Sequence, residues 1–112
     1  MADKFQLNVT VNPAVAMALI KDGMGPDAEL LHEELNNLGD GRMIGTLVYE
    51  RYYFRSGNQA AMVIIADNLQ GICNIRLIPA GSSNSMILKV DWGAGKSFAA
   101  SVAKLLSDYT VE

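Results

Sequence analysis

Between Arg42 and Trp92 the sequence repeats one pattern: a run rich in Ile, Val, Leu, Met and aromatic residues, closed by a cluster of Gly, Ser or Asn. The runs are Arg42–Arg55, Gln59–Asn68, Ile72–Pro79 and Ser85–Trp92; the breaks are Ser56-Gly57-Asn58, Gln70-Gly71 and Gly81-Ser82-Ser83-Asn84. Runs of this length and content suit strands, and the breaks have turn chemistry. In the last run Met86, Leu88, Val90 and Trp92 alternate with Ser85, Ile87, Lys89 and Asp91, which is strand periodicity. Links this short join antiparallel neighbours, so the segment predicts a four-strand meander. Gly45 marks a bulge or a point of close packing within the first run.

The flanks predict one more strand and three helices. Phe5, Leu7, Val9 and Val11 alternate with Gln6, Asn8 and Thr10. Asn12-Pro13 then starts a helix, with Asn capping free N–H groups and Pro tolerated in the first turn. Val15, Leu19 and Ala18 or Ile20 supply its buried stripe, and Gly23 ends it in a left-handed conformation. After Met24–Pro26, Asp27 caps a second helix over Ala28–Leu38. Leu31, Leu35 and Leu38 share its buried face, with Leu30 at the margin, and Glu29, Glu33, Glu34 and Asn37 lie away from it. Gly39 closes that helix and Asp40-Gly41 turns the chain. The last helix runs from about Gly95 to Tyr109, with Phe98, Val102, Leu105, Leu106 and Tyr109 on one face. Trp92 and Phe98 are expected to pack in one core.

The resulting order is β-α-α-β-β-β-β-α. It predicts an α+β fold: an antiparallel sheet of about five strands with the helices mainly on one face. That order matches an abbreviated helix-grip, or Bet v 1-like, arrangement, an analogy that carries no function. At 112 residues the chain predicts one domain over 1–112, large enough to bury a core without disulfides or metal.

Charge narrows the partners. Nine Lys and Arg face twelve Asp and Glu, a net charge of -3, with no basic run to neutralise phosphates. Nucleic acid and anionic membrane surfaces are therefore disfavoured. The longest apolar run, Ala60–Ala66, is too short to span a bilayer. Met1–Lys4 lacks the pattern of a signal peptide, so a soluble cytoplasmic protein is expected. Cys73 is the only cysteine, which excludes an internal disulfide and a thiolate zinc cage, and its Ile72 and Ile75 flanks predict a buried apolar role.

Candidate chemistry is sparse. Gly95-Lys96-Ser97 sits between a strand and a helix, but the position of the P-loop's earlier Gly holds Val90, so a turn with a local cap is the plainer reading. His32 has no second His four residues away and reads as a solvated surface side chain. Asp67 and Asp91 each lie near a strand end, where a capping or exposed role is expected rather than acid–base work. No catalytic residue, metal ligand or cofactor is assigned. The most unusual segment is the aromatic strand around Tyr49 to Arg55. Tyr49, Arg51, Tyr53 and Arg55 share one face there, a candidate ligand-binding surface because both residue types combine contact area with directional donors. Cross-strand packing with solvated Arg heads is the alternative.

Two segments, Val48-Tyr49-Glu50-Arg51-Tyr52-Tyr53-Phe54-Arg55 and Asp91-Trp92-Gly93-Ala94, resemble a small family of uncharacterised bacterial proteins, a domain of unknown function found mainly in Gram-positive organisms. The resemblance implies a stand-alone bacterial cytoplasmic domain across nearly the whole chain. It implies no activity, so no catalytic residue carries over.

The functional expectation is a non-enzymatic module that binds a small apolar or anionic molecule, or that associates with itself. An enzyme fits least, since one His and one Cys leave few reactive groups. Self-association, as a dimer or higher oligomer, is expected because alternate residues in Ala60–Ala66 are apolar on both faces while one layer of helices covers only one. A sheet curled around its own last helix is the competing explanation.

Overall fold

The structure, a computed structural model, describes residues 5–53, 58–80 and 98–111; at 52, 53, 58, 59 and 80 it describes the backbone. Its elements are β1 (Phe5–Val9), α1 (Pro13–Gly23), β2 (Ala28–Gly39), β3 (Arg42–Tyr53), β4 (Asn58–Asp67), β5 (Cys73–Ala80), a helix α2 over residues 98–105, a 3-10 turn (Ser107–Tyr109) and β6 (Thr110–Val111). The strands form one antiparallel sheet in the order β2-β3-β4-β5-β1-β6. The α+β class and the antiparallel sheet match expectation, with six strands in place of about five. The expected strand Ser85–Trp92 and the partner role of Trp92 lie outside the described residues.

Cross-strand pairing builds the core row by row. Leu47, Ile64, Leu77 and Phe5 are successive partners across β3, β4, β5 and β1, as are Gly45, Ala66, Ile75 and Leu7. Paired residues project to the same face, so period two in each strand becomes one apolar layer. Leu47, Ile64, Ile75 and Leu77 are fully buried in that layer, packed with Ala16, Met17 and Ile20 of α1, with Phe98 and Val102 of α2 and with Leu106 just past its end.

Both helices lie on this inner face. The Asn12 side chain accepts from the Val15 N–H at 2.9 Å and Pro13 occupies the first turn, as the sequence predicts. The buried stripe is Ala16, Met17 and Ile20 rather than Val15 and Leu19; Val15 is 43% exposed. Gly23 ends α1 without a positive φ. Its role is close approach: a Cβ there would lie 2.5 Å from Leu105 Cδ2 on α2. Gly45 serves the same purpose under Met17, and the β3–β4 register runs past it unbroken, which makes it a close-packing point and not a bulge.

The expected second helix is instead strand β2. Gly39, Asp40 and Gly41 all have positive φ (89°, 56° and 80°) and fold Ala28–Gly39 back along β3. Ten positions then pair with β3. Every backbone group that pairs in this ladder would have to pair locally in a helix, and the tight hairpin supplies the partner first. The leucines that fitted a helical stripe do not form one: Leu31, Leu35 and Leu38 are 51%, 45% and 49% exposed. Register shifts between Leu30 and His32 and between Asn37 and Gly39 bend this edge strand.

The chain's last segment also departs from expectation. Phe98, Val102 and Leu106 are buried as predicted, but the helix stops at residue 105, and the chain passes through the 3-10 turn into β6. Tyr109, expected on the buried face, is 36% exposed.

Candidate functional site

Register and burial assign each residue of the central strands to a face. On β3, Gly45, Leu47, Tyr49 and Arg51 point inward, toward the helices; Ile44, Thr46, Val48 and Glu50 point outward. Of the four expected site residues, Tyr49 and Arg51 thus share the inner face. The Tyr53 backbone pairs with Asn58 at the far end of β3, and Arg55 lies outside the described residues. Tyr49 is 3% exposed, and burial raises its phenol pKa above the usual value, so the ring belongs to the core.

Arg51 is half-buried between the sheet and both helices. Its guanidinium carbon lies 4.5 Å from the centroid of the Phe98 ring, and Nη2 is 3.9 Å from Met24 Sδ. Its Nε is buried, with no hydrogen-bond partner among the described residues. Among the described residues no carboxylate lies within ion-pair distance of it. The ring face gives the cation an electrostatic partner worth about 0.5–2 kcal/mol, less than a carboxylate would supply in the same surroundings.

The outward face has a different character. Val48, Val63 and Ile78 are consecutive partners across β3, β4 and β5, with Ala61 and Ile65 on either side of Val63 along β4 and Ile44 farther along β3 opposite Asp67; all are half-buried. Among the described residues neither helix packs here: both lie across the sheet. A polar border surrounds the apolar centre. On one side Glu34 of β2 takes His32 Nε2 at 2.9 Å and the Asn36 amide at 3.2 Å. At one end Asp67 pairs with Arg76, and the Asn74 amide donates to Asn8 at 3.0 Å. An apolar centre inside a polar rim is the anatomy of a recognition surface. Reading Ala28–Leu38 as a helix hid the β2 part of this rim; the turn signal Asp40-Gly41 before a strand was the clue to it.

The remaining candidates occupy bland settings. His32 is an exposed side chain, now on a strand. Asp67 is nearly buried, with Oδ1 accepting from the Leu69 N–H at 3.1 Å, a local cap at the end of β4. Cys73 is 3% exposed, and burial pushes its thiol up to about 11. Among the described residues no group of three His, Cys, Asp or Glu side chains is placed to hold a metal ion. Among them, too, no helix is long and apolar enough to cross a membrane. Asp91 and Gly95-Lys96-Ser97 lie outside the described residues.

The model of a family of unknown function, DUF6054, covers residues 1–110. No curated protein and no solved structure matches the chain.

Proposed function

We propose that this chain, which belongs to the DUF6054 family, is a non-enzymatic module that associates with itself through the outward face of its sheet. The observation that carries this reading is the uncharged row Val48–Val63–Ile78, flanked on β4 by Ala61 and Ile65 and rimmed by polar side chains. Strands spaced about 4.8 Å apart and about ten residues long give this face an area on the order of 700–800 Å². A standard interface takes roughly 800 Å² from each partner. A second copy suits the face because the apolar centre carries no charge, so a two-fold axis through it brings no like charges together. We read the arrangement of α2 across the inner side as an abbreviated helix grip, with the outward side left for association. We place the protein in the bacterial cytoplasm, a reading supported by its single buried thiol and the want of any possible internal disulfide.

The test is mass in solution at micromolar concentration. A dimer that becomes a folded monomer on Val63→Glu supports the proposal. A strictly 12.1 kDa species with no concentration dependence overturns it.

A second reading, binding of a small anionic or apolar molecule by Tyr49, Arg51, Tyr53 and Arg55, is favoured by the buried Nε of Arg51, which has no partner among the described residues. A monomer that carries a bound small molecule through purification, and loses it on Arg51→Met, selects this reading over self-association.

A further inference from the structure

We propose that a second copy seats itself with the two-fold axis parallel to the strands, midway between β3 and β4, so that Glu34 of each copy faces Arg76 of the other. This arrangement deepens, and rests on, the reading that the outward face associates with itself. The layout of charge on that face carries it. Cross-strand partners project to one side, so the registers divide the outward face into rows. One row runs His32, Val48, Val63, Ile78. The next runs Glu34, Thr46, Ile65, Arg76, and the row on the other side of Val63 begins Glu29, Glu50, Ala61. Carboxylates therefore gather on β2 and β3, while the cation Arg76 lies on β5.

Glu34 and Arg76 are both presented for contact. His32 and Asn36 flank Glu34 on β2 and bond its two carboxylate oxygens at 2.9 and 3.2 Å. Those bonds, the one from His32 foremost, hold its carboxyl below the usual range, so it is charged at neutral pH. Arg76 gives Nη2 to Asp67, and its side chain is 34% exposed. A guanidinium has five N–H donors, so the fork can serve Asp67 of its own chain and a carboxylate of another.

Packing the outward faces together puts the two-fold axis in the plane between the sheets, and aligned strands leave two directions for it. An axis across the strands lays β2 on β2. Turned about the row of Val63, it sets Glu34 of each copy against Glu29 of the other, and like charges meet twice. An axis along the strands, between β3 and β4, exchanges β3 with β4 and β2 with β5 and keeps every residue in its row. Val48 then lies on Val63, Thr46 on Ile65 and Glu34 on Arg76, each contact made twice. β2 and β5 both lie about 7 Å from this axis. Aligned sheets sit about 10 Å apart and cross at about 30°, which offsets the two side chains by about 4 Å, within reach of an extended Arg and Glu.

The experiment measures dimer dissociation of Glu34→Lys and Arg76→Glu chains, alone and mixed, by sedimentation and native mass spectrometry, with the parent's circular dichroism as the control for folding. Alone, each variant places like charges together twice and should weaken the dimer about tenfold or more. In the equimolar mixture opposite charges meet at both places, and a heterodimer should form with an affinity within about threefold of the parent's. Because Arg76→Glu also sets a carboxylate beside Asp67, a second measurement uses the parent chain alone. In dimers of one isotopically labelled and one unlabelled copy, Val48 methyls of one copy should show nuclear Overhauser contacts to Val63 methyls of the other. The arrangement is overturned, with association through this face still standing, if the parent dimer is lost on Val63→Glu but both charge variants dimerise like the parent. It is overturned in the same way if the mixture of folded variants recovers no affinity, or if Val63 contacts Val63, and Val48 contacts Val48, between copies. A parent that stays at 12.1 kDa overturns the association reading and this arrangement with it.

Discussion

Arg51 of β3 lies over the ring of Phe98 at the start of the described part of α2, with the guanidinium carbon 4.5 Å from the ring centroid. The contact joins the sheet to the helix that follows it by more than forty residues in sequence. It also sets the chemistry of the inner face: a cation held against an aromatic ring, its Nε buried and without a partner among the described residues.

The two partners contribute unequally. Phe98 is fully buried among Val102, Leu106 and the central strands, so Phe98→Ala should lose about 3–5 kcal/mol of stability. Arg51→Met keeps the apolar stem, removes an unpartnered buried donor and forfeits only the cation–ring attraction. Its cost should stay below about 2 kcal/mol. Urea denaturation of both variants measures the difference; equal midpoints would contradict this placement of Phe98.

Val63 and Ile64 are adjacent in β4 and face opposite ways. Val63 pairs with Val48 and Ile78 on the outward side, whereas Ile64 pairs with Leu47 and Leu77 and is 1% exposed. Val63→Glu should therefore leave a folded chain with altered association, and Ile64→Glu should fail to fold, since an isolated carboxylate would enter the core. Circular dichroism and light scattering on the pair check this. A folded Ile64→Glu protein would show that the faces are reversed.

The Cys73 thiol should be inert in the native state. Burial, aided by the nearby Asp67 charge, lifts its pKa from 9.0 to about 11, so thiolate is scarce at pH 8. The folded value is the higher one, so the protonated thiol stabilises the fold fully below pH 9. That contribution is lost as pH rises from about 9 to about 11. A chromogenic disulfide reagent at pH 8 should label Cys73 only at the rate of unfolding, and urea midpoints should fall across the same alkaline window.

How much of this was legible in the sequence differs strand by strand. β1 shows its alternation plainly, β3, β4 and β5 show as apolar runs closed by turn residues, and Asn12-Pro13 announces α1, because local chemistry and tertiary placement agree there. β2 misleads for a definite reason. Leu31, Leu35 and Leu38 have the four-and-three spacing of a helical stripe, yet Leu31 and Leu38 are the two positions that the β2–β3 register skips. Between those two shifts Leu35 pairs with Gly45 on the inner side, where Leu30 also lies opposite Tyr49. A bulge converts strand spacing into something that looks helical, and the Glu and Leu content of Ala28–Leu38 reinforces it. β6 was invisible because two residues carry no periodicity; its pairing depends on where the 3-10 turn delivers Thr110. At the candidate site, the antiparallel adjacency of the strands that carry Val48 and Val63 is legible from the short break between them, whereas their register, and the stacking of Arg51 on Phe98, depend on tertiary docking that no local pattern encodes.

The hairpin that misled the sequence reading should also be the weakest joint of the sheet. β2 is exposed along nearly its whole length, so it gains little from burial and depends on its ladder with β3 and on the turn. Gly41 sits at φ 80° with nothing within 4 Å of where a Cβ would be, so a substitution there meets strain and no clash. Left-handed backbone costs an ordinary residue about 1–2 kcal/mol, and a β-branched one more. Asn68 braces the same turn from β4's end: its amide donates to the Gly41 carbonyl at 3.0 Å and its oxygen accepts from the Met43 N–H at 2.8 Å. Gly41→Val should therefore speed hydrogen exchange at β2 amides while those of β4 and β5 keep their protection. Asn68→Ala should do the same at a cost of about 1–3 kcal/mol, because it leaves the partly buried Met43 N–H unpaired. Gly41→Asn, which tolerates left-handed backbone, should sit between the parent and Gly41→Val. Equal loss of protection in β2 and β4 would mean that the hairpin and the central sheet open as one unit, and the order of the three variants would then carry no information about the turn.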